Sequence, residues 1–169
     1  MQRFSDRCEL QGPGVGRNEE HAQKLAKFWN IPKVYTDWKT MLNEEPLDAL
    51  HLAGHVRNRG LSYFELGRES SISTQDILQG ESMPSLVTLS ACEGLHKESY
   101  LSLAHAFLVK GSQAVVAHNH RVSDLAAAVF MKHFYRNLRN GRAKALQKAA
   151  LETKRYFPHP AHWACFQLM

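Results

Sequence analysis

Apolar residues fall along the chain in two patterns, short near-continuous runs and longer stretches with helical spacing. The runs at 33–36, 48–54 (DALHLAG), 62–66 (SYFEL), 86–91 (LVTLSA), 114–118 (AVVAH) and 163–168 (WACFQL) predict strands, with 62–66 at a sheet edge. Helical spacing occupies 18–29, where Asn18 caps, acids fill the first turn, and Ala22, Leu25, Ala26 and Trp29 share a face. Asp37 opens a short helix to Asn43, and Ser73 caps another through Leu78, with an acid at the third position (STQD). The pattern SYLSLAHAFLV predicts a helix over 99–109 that Gly111 ends. Ser123 or Asp124 opens a long helix to Asn140, Gly141 ends it, and a further helix covers 143–155 before Pro158 and Pro160 break the chain.

Strands thus alternate with helices. Apolar strands of this kind belong to sheets covered on both faces, so the pattern predicts an α/β fold with a mostly parallel central sheet and helices on both sides. The segment GPGVG at 12–16 reads as a turn before the first helix. Its spacing does not suit a phosphate-binding loop and no Gly-Lys-Ser follows.

Length and composition narrow the class. With 169 residues, 44% hydrophobic and 22% charged, the chain is sized for one domain over 1–169 with a real core. It has no run of 18 apolar residues and no apolar stretch of signal-peptide type at its start. Cys8, Cys92 and Cys165 are odd in number and widely spaced, which fits a reducing, cytoplasmic setting better than a disulfide framework. The net charge of +5 is concentrated locally, in Lys132, Arg136, Arg139, Arg142, Lys144, Lys148, Lys154 and Arg155, against Glu152 alone. No aromatic interleaving or base-reading motif accompanies it. The stretch therefore reads as a solvated helix face or a face for a neighbouring domain, with neither direct nucleic-acid contact nor a membrane expected.

In sheets of this class, ligand sites lie beyond the carboxyl ends of the strands. The strand at 48–54 delivers His55 there, the strand at 86–91 delivers Cys92 and then Glu93, and the strand at 114–118 delivers His118, Asn119, His120 and Arg121, with Asp124 beyond. A thiol beside an imidazole is the apparatus of nucleophilic catalysis, in which histidine takes the thiol proton and later protonates a leaving amine. Taken alone, a cysteine at a strand end, as Cys92 is, is more often a small buried hydrophobe than a nucleophile. His51, four residues before His55, reads as a packed, hydrogen-bonded core histidine. Phe130, Phe134, Tyr135 and Trp163 read as core, and Cys8 and Cys165 as structural. No metal site is expected: there is no CxxC or HExxH, and His118, His120, His162 and Cys165 lie on scattered segments.

In order, LHLAGHV, SLVTLSACEG, AFLVKGSQAVVA, VSDLAAAVFMKHFYRNL and HPAHWACFQLM resemble the CHAT family over about Leu10 to Met169. These are caspase-like peptidases of the clan that includes caspases and separases, often found beside tetratricopeptide repeats. The resemblance implies a caspase-like three-layer sandwich and a cysteine endopeptidase with a His–Cys dyad. His55 would be general base and then acid, Cys92 the nucleophile, and no cofactor is required. It further implies that backbone N–H groups near Val56 and Cys92 hold the oxyanion. By similarity to a Val-Thr-Asp stretch of separases, Asp124 would receive a basic side chain before the cut, with Glu93 close enough to influence it. Asp124 or Ser123 as a plain helix cap is the competing reading.

Two departures fall at this edge. The family has glycine after the dyad histidine, where this chain has Val56, and it has a tryptophan-containing stretch where this chain has His118-Asn119-His120-Arg121. Both favour the alternative, an inactive caspase-like module that binds a partner. The family begins with a strand before the glycine-rich turn, residues 1–11 are weakly apolar, and Met169 follows the last strand closely. The chain is therefore expected to be a domain excised from a longer protein, working on a protein or peptide substrate beside a helical-repeat domain or regulatory partner.

Overall fold

The computed structural model describes residues 8–11, 33–35, 48–58, 62–65, 71–81, 83–91, 97–120 and 122–169. The expected helices at 18–29 and 37–43, and the turn at 12–16, lie outside them. The strands are β1 (Cys8–Gln11), β2 (Lys33–Tyr35), β3 (Ala49–Asn58), β4 (Ser62–Glu65), β5 (Ser71–Ser73), β6 (Leu86–Ala91), β7 (Ala114–His118) and β8 (Phe166–Leu168). The helices are α1 (Thr74–Gln79), α2 (Lys97–Val109), α3 (Asp124–Asn137) and α4 (Arg142–Tyr156), with 3-10 turns at Leu138–Asn140 and Pro160–His162.

Among the described residues the sheet has eight strands, ordered β2-β1-β3-β6-β7-β8, with β4 and β5 branching from β3. The β2–β1, β1–β3, β3–β6 and β6–β7 pairs are parallel, and β8 returns antiparallel to β7. The strand β3 changes partner along its length. Residues through Gly54 pair with β6, and His55 to Asn58 pair antiparallel with β4.

Side-chain alternation along the central strands explains the layering. Leu50 and Leu52 of β3, Val87 and Leu89 of β6, and Val115 and Ala117 of β7 pack on one side with Leu103, Ala104, Ala106 and Phe107 of α2, and with Ile77 of α1. The intervening residues Ala49, Leu86, Ala114 and Val116 pack on the other side with Ala126, Phe130, Met131 and Phe134 of α3, and with Ala145 and Ala149 of α4. The near-continuous apolar strands are thus covered on both faces, as the pattern predicts. Phe130 stacks on Phe166 with ring centroids 3.6 Å apart, which ties α3 to β8.

Local chemistry sets the helix ends. Ser73 and Asp76 form a reciprocal capping box at the start of α1. Gly111 and Gly141 end their helical segments with φ of 107° and 96°, where a side chain is disfavoured. Lys144, Lys148, Lys154 and Arg155 stand exposed on α4, a solvated face. Arg155 pairs with Glu152 at 2.9 Å, an exposed contact of small energetic consequence. No helix among the described residues is long and apolar enough to cross a membrane.

Three expectations need correction. The segment at 62–65 is no edge, because β4 lies between β3 and β5. The missing partner, Ser71–Ser73, is a three-residue strand with one apolar side chain, too short to show a period. The last strand is also shorter than 163–168. Pro160 starts a 3-10 turn whose hydrogen bonds hold Trp163 and Ala164, so pairing begins at Phe166. Trp163 accordingly leaves the core. It is half-buried, its Nε1–H donates to the Pro158 carbonyl, and the Lys154 ammonium lies 4.9 Å from its ring centroid.

Candidate active site

The register of β3 and β6 positions the site. His51 pairs with Thr88, Leu52 with Leu89, Ala53 with Ser90 and Gly54 with Ala91. His55 is the next residue of β3, at the point where the strand exchanges its parallel neighbour for β4. Cys92 and Glu93 lie outside the described residues. Their neighbour Ala91 is the last residue of β6, level with the residue before His55.

Glu65, a half-buried carboxylate of β4, occupies the register position directly opposite His55. Its motif SYFEL reads simply as a strand, and only the antiparallel return of β4 brings it there. Val56 is a regular β residue, paired with Phe64 and packed against the core on the α2 side. The chain follows an extended path through the position where the family has glycine.

Behind this edge lies a buried polar chain. His51 is 1% exposed and its Nδ1 lies 2.9 Å from the Tyr135 hydroxyl, which donates to Thr88 Oγ1 at 2.9 Å. A tyrosine hydroxyl has one proton, so with that proton given to Thr88 it accepts from His51 Nδ1–H. Burial pushes the His51 imidazole down to about 3, which keeps it neutral. The expected hydrogen-bonded core histidine is therefore found. Phe130 and Phe134 are core as expected, whereas Tyr135 adds a polar function that helical spacing does not disclose.

The third strand end is closed off. His118 is buried, its Nδ1 is 2.8 Å from the His120 carbonyl oxygen, and its ring meets Phe166 edge-on. Desolvation lowers its pKa, with the His120 contact opposing. At the start of α3 the capping role belongs to Ser123, whose Oγ accepts from the Ala126 N–H. Asp124 stands exposed in the first turn, where the helix dipole favours its charge.

Cys165 is buried, and desolvation raises its thiol to about 11, so it is an unreactive thiol at neutral pH. Among the described residues no group of three or more His, Cys, Asp or Glu is placed to hold a metal ion.

The fold is shared with a solved protease. The Arg-specific cysteine proteinase gingipain R superimposes with a TM-score of 0.65 at 11% identity. The match covers 97% of this chain and 45% of that one, so the chain spans under half of that protein's length. No curated protein matches the chain by sequence. The sequence model of the CHAT domain matches residues 20–169, nearly all of the sequence, and the chain belongs to the CHAT domain family.

Proposed function

We propose that this chain is a cysteine endopeptidase in which Cys92 is the nucleophile and His55 its general base and acid. The observation that carries the reading is the β3–β6 register. The register pairs His51 with Thr88 and ends at Gly54 with Ala91, and His55 and Cys92 are the residues that follow this last pair in the sequence. Neighbouring strands run about 4.8 Å apart, a spacing that suits an imidazole serving a thiol from the next strand.

His55 takes the Cys92 proton, and the thiolate sulfur attacks the carbonyl carbon of the scissile bond. The oxyanion is held by backbone N–H groups near Val56 and Cys92. The tetrahedral intermediate collapses to a thioester as His55 gives the proton to the leaving amine. Water then attacks the thioester with its proton passing to His55, which returns it to the Cys92 sulfur as the acid leaves. Glu65, the register partner of His55, is the carboxylate proposed to steady the general base.

Asp124, with Glu93 near, is the carboxylate for a basic side chain preceding the cut. Its exposure, its release from capping by Ser123 and the Arg specificity stated for gingipain R support this assignment. The substrate is a protein or peptide. A flanking helical-repeat domain or regulatory partner, a cytoplasmic setting and residues 1–169 as one domain complete the reading.

A second reading is a protein-binding module without turnover. The regular strand path through Val56 favours it, since a side chain packs where the family has none.

Hydrolysis of a fluorogenic peptide library by the purified chain tests the proposal. We expect cleavage after Arg or Lys that is abolished in Cys92→Ala and lowered on the order of tenfold or more in Asp124→Asn. Cleavage that survives Cys92→Ala would refute the nucleophile, and an unchanged preference in Asp124→Asn would refute the pocket.

A further inference from the structure

We propose that Tyr135 is a positioning residue for the His55–Cys92 pair. Its hydroxyl fixes the register of β3 against β6, which sets the end of β6 level with the residue before His55. The inference rests on the peptidase reading above.

Tyr135 reaches across both strands from α3, and its two hydrogen-bond partners are themselves register partners. His51 of β3 and Thr88 of β6 stand side by side, and each is 2.9 Å from the tyrosine oxygen. Each also precedes a residue of the proposed dyad by four positions in the sequence, His51 before His55 and Thr88 before Cys92. An even spacing along a strand keeps a residue on the same face. The tyrosine therefore grips the two strands two pleats behind the point where their chemistry emerges.

A backbone ladder does not define register by itself, because its N–H and C=O groups pair equally well after a slip. The chain from His51 Nδ1–H to the Tyr135 hydroxyl to Thr88 Oγ1 is satisfied in one register only. His51 and Thr88 are 1% and 0% exposed, so a slip would leave buried polar groups without water to replace the lost partners.

The same helix begins with Ser123 and Asp124, eleven residues and roughly 16 Å before Tyr135. Anchoring α3 to both strands thus also fixes the specificity carboxylate relative to the dyad. The tyrosine acts through the strands and touches no reacting atom.

Tyr135→Phe and Thr88→Val each remove a hydroxyl at nearly constant volume. Ser112→Ala is the control, since it removes a buried hydroxyl that has no hydrogen-bond partner. With the full chain and the best peptide substrate, we expect Tyr135→Phe and Thr88→Val to lower kcat by roughly tenfold to a hundredfold with KM little changed, as for displaced catalytic groups. The double variant should be no worse than either single one, because both break one chain. Ser112→Ala should match the parent.

Folded fractions from urea titration accompany each rate. A fully folded Tyr135→Phe with parental kcat overturns this inference, and the peptidase reading still stands where Cys92→Ala, tested separately, abolishes cleavage. A loss that merely follows the unfolded fraction overturns it as well. For a parent that cleaves no peptide, the readout is iodoacetamide alkylation of Cys92. Slowing in Tyr135→Phe supports the inference and an unchanged rate refutes it, while parental Cys92 no faster than Cys165 removes the peptidase reading and this inference together.

Discussion

His51 shows how much a single buried side chain settles. An imidazole in an apolar strand is compatible with a ligand, a base or a core group, and the sequence favours the last. Its hydrogen bond to Tyr135 and its burial make it a neutral, hydrogen-bonded core group. This has a consequence for stability. The unfolded chain protonates this histidine near 6.5 and the folded one only near 3, so between these values the unfolded state binds more protons. Stability is therefore intact above about pH 6.5 and falls on acidification towards 3, by about 1.4 kcal/mol per pH unit for this group. The lowered pKa of His118 acts in the same direction. Urea unfolding at pH 7 and pH 5 should show a smaller acid loss in His51→Gln than in the parent. An equal loss in both would mean that His51 is not held neutral by the fold.

At the scale of the element, apolar runs and cap residues made most boundaries legible. The strand LVTLSA falls on its expected residues, and AVVAH does too, because β-branched and small apolar residues bounded by turn signals leave few alternatives. The ends of β3 and β8 were less legible. The last four residues of β3 pair with β4, a strand that the sequence predicts without its partner, and β8 loses its first three residues to a proline-led turn. For the same reason Glu65 escaped notice: only pairing places it opposite His55.

Gly141 was legible as a helix end, and its role is now specific. It joins the 3-10 turn after α3 to α4 with φ 96° and ψ 147°, and no atom lies within 4 Å of where a Cβ would stand. The cost of a side chain there is backbone strain rather than a clash. Gly141→Ala should destabilise the fold by about 1–3 kcal/mol in thermal or urea unfolding. A stability equal to the parent's would show that the junction relaxes freely.

At the scale of the whole molecule, the sheet is what makes scattered residues into a candidate site. His55 and Glu65 are separated by a turn of the chain, and the sequence does not show that they face each other. The parallel β3–β6 register and the antiparallel return of β4 bring Glu65 opposite His55 and end β6 beside it. The family motifs point to His55 and Cys92 but not to Glu65, which the antiparallel return of β4 sets opposite His55. The Tyr135 chain depends on three elements at once, and helical spacing marks that residue only as core.

The reactivity of Cys92 tests the central claim most directly. Cys165, whose thiol burial raises to about 11, supplies an internal standard that stays protonated at pH 7. Site-resolved alkylation by iodoacetamide, read by mass spectrometry, should modify Cys92 at least about tenfold faster than Cys165 or Cys8, and His55→Ala should remove the difference. Slow and equal labelling of all three cysteines, unaffected by His55→Ala, would contradict a His55-activated nucleophile and leave a binding module in its place.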